Sequence, residues 1–175
     1  MKNANKTSEK KYECKKQLSM KEITYRRAVL SDAEKLAELR STFLKELGNA
    51  SEDERIIIEQ ANLEYFRKGF NDNTFISWVA LELDNEEIIA TSGLSFSIVP
   101  PYFQVPDGKV AYIMNMFTFP NYRNRGIGTE LFKRIIEEAK HLGYKKITLN
   151  TSDMGRPIYE KYGFKNVDNA MVYYV

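Results

Sequence analysis

The run VAYIMNMFTFPNYRNRGIGTELFKRIIEEAKHLGYKKITLNT, residues 110–151, decides the fold. It opens with an apolar and aromatic stretch, which indicates a strand buried on both faces. From Gly126 to Leu142 the apolar residues recur every three or four positions, which predicts a helix that ends at Gly143. Residues 145–151 then form a short strand pattern. A strand, a helix and a second strand in this order predict a parallel crossover.

The segments before residue 110 add further strands and helices to this unit. Residues 22–29 are strand-like, and two helices follow, each opening on a serine with a glutamate three residues later, as in a capping box. Two more strand-like runs meet at Asp84-Asn85, which suits a hairpin. Gly93 in the second run indicates a bulge or a close backbone approach. The capping pairs are Ser31 with Glu34 and Ser51 with Glu54, and the strand runs are 75–83 and 87–99.

After residue 151 the pattern predicts one short helix over 154–164 and a final strand over 169–175. The fold class that follows is α/β, with a central mixed β-sheet flanked by helices. A terminal strand would present an edge to solvent, and such an edge can pair with a second copy of the chain. We therefore predict a homodimer through that edge.

Composition is that of an ordinary globular protein. The chain has 175 residues, of which 43% are hydrophobic and 29% are charged, enough for one domain with its own core. No apolar run approaches the ~20 residues of a membrane-spanning helix, and the lysines near the start precede no apolar core of a secretory signal. Cys14 is the single cysteine, which predicts a reducing, cytoplasmic compartment.

Charge is unevenly distributed along the chain. Residues 1–16 carry six lysines and two glutamates, hence +4, which leaves −2 for the rest of a chain whose net charge is +2. A body of this charge argues against a nucleic-acid partner. Met20 opens a run typical of a natural start, so we predict a flexible extension over 1–19 and a single folded domain over 20–175.

The loop after the central strand has the composition of an anion site. Gly126 and Gly128 lie where the helix begins, and its unpaired amides and dipole favour an anion there. Glycine has no Cβ to keep a phosphate away from the backbone, and Arg123 and Arg125 add charged donors. The favoured anion is a phosphate or pyrophosphate, and the alternative is a plain turn with solvated arginines.

Two other phosphate-binding motifs fit this loop poorly. A Walker A loop needs Lys-Ser/Thr after its last glycine, whereas Thr129-Glu130 follows here. A dinucleotide fingerprint would need a third glycine at Leu131 and an acidic residue near position 148. A nucleotide-phosphate module of another fold is therefore the weaker interpretation.

Two motifs carry a resemblance to a known family. Residues 123–128, RNRGIG, follow a strand and open a helix, and residues 158–164, IYEKYGF, lie downstream beyond a helix and a strand. In this the sequence resembles the GCN5-related N-acetyltransferase (GNAT) family, whose pyrophosphate signature is Arg/Gln-x-x-Gly-x-Gly/Ala. The resemblance covers roughly residues 22–175 and implies the GNAT-type acyl-CoA N-acyltransferase fold.

The resemblance also implies an activity and a donor. The activity is transfer of an acetyl group from acetyl-CoA to a primary amine of a small molecule or peptide, by direct attack in a ternary complex and without a metal. The pyrophosphate would lie on the amides of residues 123–129, and the pantetheine arm along the central strand, which in this family is bulged and splays from its neighbour. The implied donor-binding residues are Phe117, Thr118, Arg123, Asn124, Arg125, Gly126, Ile127, Gly128, Thr129 and Ser152.

Tyr159 is the implied catalytic residue, because its position in IYEKYGF is the one that the family uses to protonate the leaving thiolate. A phenol with a pKa of about 10 can donate to a thiol of pKa ~8.5. One departure concerns the family's cofactor-contacting Asn, since Ser152 stands at that position here. Asn150 is the alternative contact.

The general base is not identified by the sequence. Its candidates are Glu38, Glu46, Glu64 and Glu82, each in a patterned element where a solvated face is also expected. His141, the only histidine, ends a helix, where a surface position is expected, and one cysteine with one histidine make no typical zinc site. The alternative to an enzyme is a non-catalytic acyl-CoA-binding or sensor domain of the same fold.

Overall fold

The protein is described by a computed structural model that covers residues 22–48, 50–167 and 171–174. One five-stranded sheet runs in the order β1-β2-β3-β4-β5. The first four strands pair antiparallel and β5 pairs parallel to β4, as the crossover predicted. The strands are β1 (Ile23–Arg27), β2 (Phe75–Glu82), β3 (Glu87–Ile98), β4 (Lys109–Thr118) and β5 (Lys146–Leu149).

Helices cover both faces of the sheet, which confirms the predicted α/β class. Two long helices, α1 and α2, pack on one face around Phe66, Phe75 and Val79. The other face packs against α3 and α4 around Leu94, Ile113 and Phe132. The helices are α1 (Ala33–Leu47), α2 (Glu52–Asn71), α3 (Ile127–His141) and α4 (Arg156–Lys161).

Of the two helix caps predicted from the sequence, the structure contains one. The Ser51 hydroxyl accepts from the Glu54 N–H, and the Glu54 carboxylate accepts from the Ser51 N–H at 2.8 Å, which is a capping box. The box predicted at Ser31 is wrong, because a 3₁₀ turn over Leu30–Asp32 precedes α1. There the Asp32 carboxylate accepts from the Val29 N–H at 2.8 Å and from Arg26.

Gly93 marks a close approach inside the sheet. A Cβ added there would lie 2.8 Å from the Phe75 ring, so only glycine lets that ring cross β3. The strand pairing also shifts register between Thr91 and Gly93. The bulge predicted near this glycine is therefore present, and its extra residue belongs to the partner strand β4.

The predicted final strand is wrong over the residues that the structure describes. Met171–Tyr174 have no strand conformation, and their side chains are exposed. An apolar run forms a strand only where a partner edge receives it, and the sheet order ends at the four-residue β5. The homodimer predicted through this strand remains a prediction, and the extension over 1–19 lies outside the described residues.

Candidate active site

The loop between β4 and α3 presents a row of unpaired backbone amides. Gly126 precedes the helix with φ +77°, and Asn124 has φ +61°. The Glu130 N–H donates to Gly126 O at 3.0 Å, and it is the first N–H after Arg123 to have a backbone acceptor among the described residues. Within the described part of the chain, the N–H groups of residues 124–129 have no protein acceptor. This row is the arrangement that holds phosphates at helix N-termini.

The two loop arginines brace the loop with their side chains. Arg123 Nε donates to Thr118 O at 2.9 Å, and its guanidinium lies over the Phe117 ring. The far end of Arg123 pairs with the Glu46 carboxylate at 2.6 Å. Arg125 donates to Asn121 O at 3.0 Å. Both guanidinium groups therefore have protein acceptors, while their charges stay near the unpaired amides of the loop.

The two loop glycines have different physical roles. Gly126 needs its positive φ, which other residues adopt with strain, while its surroundings are open to at least 4 Å. Gly128 lies inside α3, and a Cβ there would meet only the Thr118 hydroxyl, at 3.7 Å. Gly126 therefore shapes the turn, and Gly128 keeps the space in front of the amides free.

Strand β4 is bulged, and its pairing with β5 ends before this loop. Two residues, Asn115 and Met116, stand opposite Ser92, and Asn115 has φ +54°. The β4–β5 pairing extends only from Val110 to Ile113. Beyond that point no strand of the described residues pairs with the β5-facing edge of β4, so an extended chain can add to it as a strand would. The bulge that the resemblance implied is present, and the splay of β4 from its neighbour stays a prediction.

Tyr159 is buried on α4, with a free phenol. Its ring packs on Phe132 at 5.0 Å between centroids and on Phe164 at 6.3 Å. Only 8% of the residue is exposed, and burial raises the pKa of the phenol above its ordinary value of 10.0. Within the described residues the hydroxyl has no hydrogen-bond partner. A protonated, unengaged phenol of this kind is suited to donate a proton.

Gly155 holds the space that the Tyr159 ring occupies. A Cβ at Gly155 would lie 2.9 Å from Cε2 and 3.1 Å from the hydroxyl oxygen of Tyr159. Gly155→Ala is therefore expected to displace the ring and to lower kcat at least several-fold, with acetyl-CoA affinity unchanged. Thiol release and calorimetry measure the two quantities. Gly48→Ala is the control, because Gly48 is extended and has open surroundings. Equal kcat in both variants would contradict this role.

Ser152 has a local structural contact at the start of α4. Its hydroxyl accepts from the Gly155 N–H at 3.3 Å, and its carbonyl accepts from the Arg156 N–H at 3.0 Å. The side chain is exposed, as is that of Asn150. A contact of either residue with the donor stays a prediction.

The four candidate bases are each engaged elsewhere. Glu38 pairs with Lys35, Glu64 accepts from Gln60, and Glu46 pairs with Arg123. Glu82 is buried and accepts from the Tyr122 hydroxyl at 2.7 Å. No general base is assigned. His141 ends α3 and is exposed, as expected.

The sequence analysis missed three residues of this region. Arg40 and Ser41 of α1 and Asn115 of β4 each hold a buried polar atom without a partner. In the sequence, the one feature that could have identified these three residues is that each is a polar residue within an apolar pattern. Across residues 22–48, 50–167 and 171–174, no three His, Cys, Asp or Glu side chains are grouped to hold a metal ion. None of the described helices is long and apolar enough to cross a membrane.

Comparison with known sequences identifies the class of protein. The acetyltransferase (GNAT) family matches residues 34–164. The match spans most of the chain, and the chain belongs to this family. The relatives described next are acetyltransferases, and family membership implies acetyl-CoA as the donor.

Three proteins illustrate the similarity. A predicted acetyltransferase of Clostridium acetobutylicum, crystallised with acetyl-CoA, is 34% identical with a TM-score of 0.80, over 87% of this chain and 96% of that one. Glucosamine 6-phosphate N-acetyltransferase of Trypanosoma brucei brucei is 26% identical over 132 residues, 75% of this chain and 86% of that protein. Thialysine N-epsilon-acetyltransferase of Mus musculus is 24% identical over 102 residues, 55% of this chain and 58% of that protein.

Proposed function

We propose that the protein transfers the acetyl group of acetyl-CoA to a primary amine of a small molecule or peptide, by direct attack in a ternary complex. The observation that carries the proposal is the row of unpaired amides at residues 124–129, next to the open edge of β4. The amides suit the pyrophosphate, and the open edge suits the amide-bearing pantetheine arm. The two features are continuous along the chain, as the two parts of the donor are.

The reaction needs few groups from the protein. The neutral amine attacks the thioester carbonyl, a carbon–nitrogen bond forms, and the carbon–sulfur bond breaks. The Tyr159 phenol gives its proton to the leaving thiolate and regains one as the nitrogen loses its own. Backbone N–H groups at the bulge of β4 would stabilise the oxyanion. An acceptor that arrives as an ammonium releases one proton to solvent in each turnover.

The acceptor proposed here is an amine, and the named relatives agree with a small molecule. The trypanosomal relative is named for an amino-sugar phosphate and the mouse relative for an amino acid. The cytoplasmic setting and the single domain over 20–175 are parts of the same proposal. They rest on the single cysteine and on the sequence pattern.

Acetyl-CoA is expected to stabilise the folded protein, and ATP and NAD are not. At a ligand concentration one hundredfold above Kd the melting temperature should rise by about 5–10 °C. Thermal shift measures this, and thiol release with an amine panel measures turnover. No shift with acetyl-CoA would contradict the proposal, while a shift without turnover on any amine would favour a non-catalytic acyl-CoA-binding domain.

A further inference from the structure

Most buried polar atoms without partners in the described residues lie on α1 and β4, two elements that pack together. Five such side-chain atoms occur in the described part of the chain, and four belong to Arg40, Ser41 and Asn115. The fifth is Arg134 Nε, which lies 2.9 Å from the Glu130 carboxylate. Helix α1 packs directly on β4. Since almost all buried polar atoms in proteins are hydrogen-bonded, such a concentration indicates a place where a ligand or ordered water supplies the partners.

Arg40 is the unusual charge of this group. Every other described arginine has a carboxylate within 4.0 Å or donates to a backbone carbonyl. Arg40 has neither among the described residues, although it is half-buried and lies over the Phe43 ring at 5.6 Å. Burial lowers the pKa of its guanidinium, but arginine stays charged near neutral pH. A half-buried cation without a counterion is costly unless an anion is bound beside it.

The surroundings of Arg40 suit an anionic group. The Tyr112 and Tyr65 side chains lie within electrostatic range of Arg40, and phenol hydroxyls are hydrogen-bond donors to carboxylate and phosphate oxygens. Arg40 itself offers the planar fork that binds such groups with two parallel hydrogen bonds. The nearest carboxylate on its own helix turn, Glu38, is exposed and held by Lys35. Nothing in the described residues competes for the guanidinium.

Tyr65 lies near the end of the pairing between β4 and β5. The Tyr65 hydroxyl is 3.6 Å from the sulfur of Met114. Met114 is the first β4 residue beyond the pairing with β5, which ends at Ile113. A group bound by Arg40 would therefore lie close to the point where the proposed pantetheine arm reaches β4.

We propose that Arg40 binds a carboxylate or phosphate of the amine acceptor. The preferred acceptors are thus amines that also carry a negative charge. This inference rests on the proposed acetyl transfer, and it adds the class of substrate. It makes Arg40 a specificity-determining residue, whose charge selects among amines and takes no part in the proton transfers.

The test uses pairs of amines that differ only in the anionic group. Glucosamine 6-phosphate is compared with glucosamine, and lysine with lysinamide, so that the two pairs distinguish phosphate from carboxylate. We expect kcat/KM to be at least tenfold higher for the anionic member of one pair, and Arg40→Gln to remove that preference with the neutral member unchanged within about twofold. Arg40→Lys should retain part of it.

Two controls separate recognition from folding. Arg67→Gln changes an exposed arginine that pairs with Glu34 on the neighbouring helix. It should leave kcat/KM unchanged for both members of each pair of amines. The melting temperature of Arg40→Gln should equal or exceed that of the original chain, because the change removes a buried cation without a counterion. An equal loss of kcat/KM for charged and neutral amines, or no preference in the original chain, would overturn the proposal.

A binding experiment keeps the inference testable apart from catalysis. Calorimetry with the protein saturated with coenzyme A measures the affinity for each amine without turnover. The anionic member of a pair should bind at least tenfold more tightly, and Arg40→Gln should abolish the difference. Equal affinities would reject the subsite even if the protein acetylates amines. A charge preference without turnover would support the subsite and reject the proposed reaction.

Discussion

Tyr159→Phe is expected to lower kcat well over tenfold while acetyl-CoA binding stays within about twofold. The substitution keeps the ring that packs on Phe132 and removes only the proton donor. Loss of a positioned general acid commonly costs 10²–10⁴-fold in rate. Thiol release gives kcat, and calorimetry gives the affinity for acetyl-CoA.

The neighbouring Tyr162 supplies a matched control. Its ring also meets Phe132, at 5.0 Å, but the residue is 39% exposed. Tyr162→Phe should change kcat by less than about twofold. If Tyr159→Phe turned over as fast as Tyr162→Phe, Tyr159 would have no place in the mechanism.

The direction of the Tyr159 pKa gives the pH profile of this step. Burial raises the pKa of the phenol above 10.0, so the acid stays protonated throughout the neutral range. The alkaline fall of kcat that is due to this group should therefore have its midpoint above pH 10. The same shift makes the free energy of unfolding depend on pH. Because the pKa of Tyr159 is higher in the folded than in the unfolded chain, its contribution to stability is fully present below the unfolded pKa and is lost as pH rises through the folded pKa.

Gly128→Leu should weaken acetyl-CoA binding by about a hundredfold with the fold intact. The new side chain would enter the space before the unpaired amides and block several charge-assisted hydrogen bonds. Leucine is a better helix former than glycine, and among the described residues outside the helix's own backbone the Thr118 hydroxyl is the one atom close to a Cβ there, at 3.7 Å. Calorimetry measures the affinity, and thermal unfolding measures the fold.

Gly126→Ala is the contrasting variant. Gly126 has φ +77° and nothing within 4 Å of a Cβ, so the change should cost about 1–2 kcal/mol of stability through backbone strain and block nothing. If Gly128→Leu lost stability but kept its affinity for acetyl-CoA, the loop would be a turn without a role in donor binding.

The sequence predicted the parts of the site that depend on local order along the chain. RNRGIG follows a strand and opens a helix at the expected residues, and the bulge lies in the central strand, where the resemblance places it. The Ser31 cap was wrong because Asp32, one residue later, accepts from Val29 and also pairs with Arg26. Two polar residues compete for one helix start there, and the tertiary ion pair decides between them.

The other features of the site depend on which helices and strands pack together, and no single segment of the sequence predicts that packing. Arg40 reads as a solvated helix residue until α1 packs on β4 and leaves the guanidinium without a carboxylate. The apolar run at 169–175 indicates a strand, but a strand also needs an edge to receive it. Met171–Tyr174 find none within the described structure.

The ion pair between Arg123 and Glu46 connects the two halves of the site. Arg123 belongs to the amide-bearing loop, and Glu46 ends the helix that also carries Arg40. With the donor and acceptor bound as proposed, coupling of their affinities through this pair is expected, and each ligand would then change the affinity of the other by the same factor. A partly exposed pair contributes up to ~1 kcal/mol, which limits the coupling through it to about fivefold. Added salt should weaken that coupling before it weakens binding to the amides themselves.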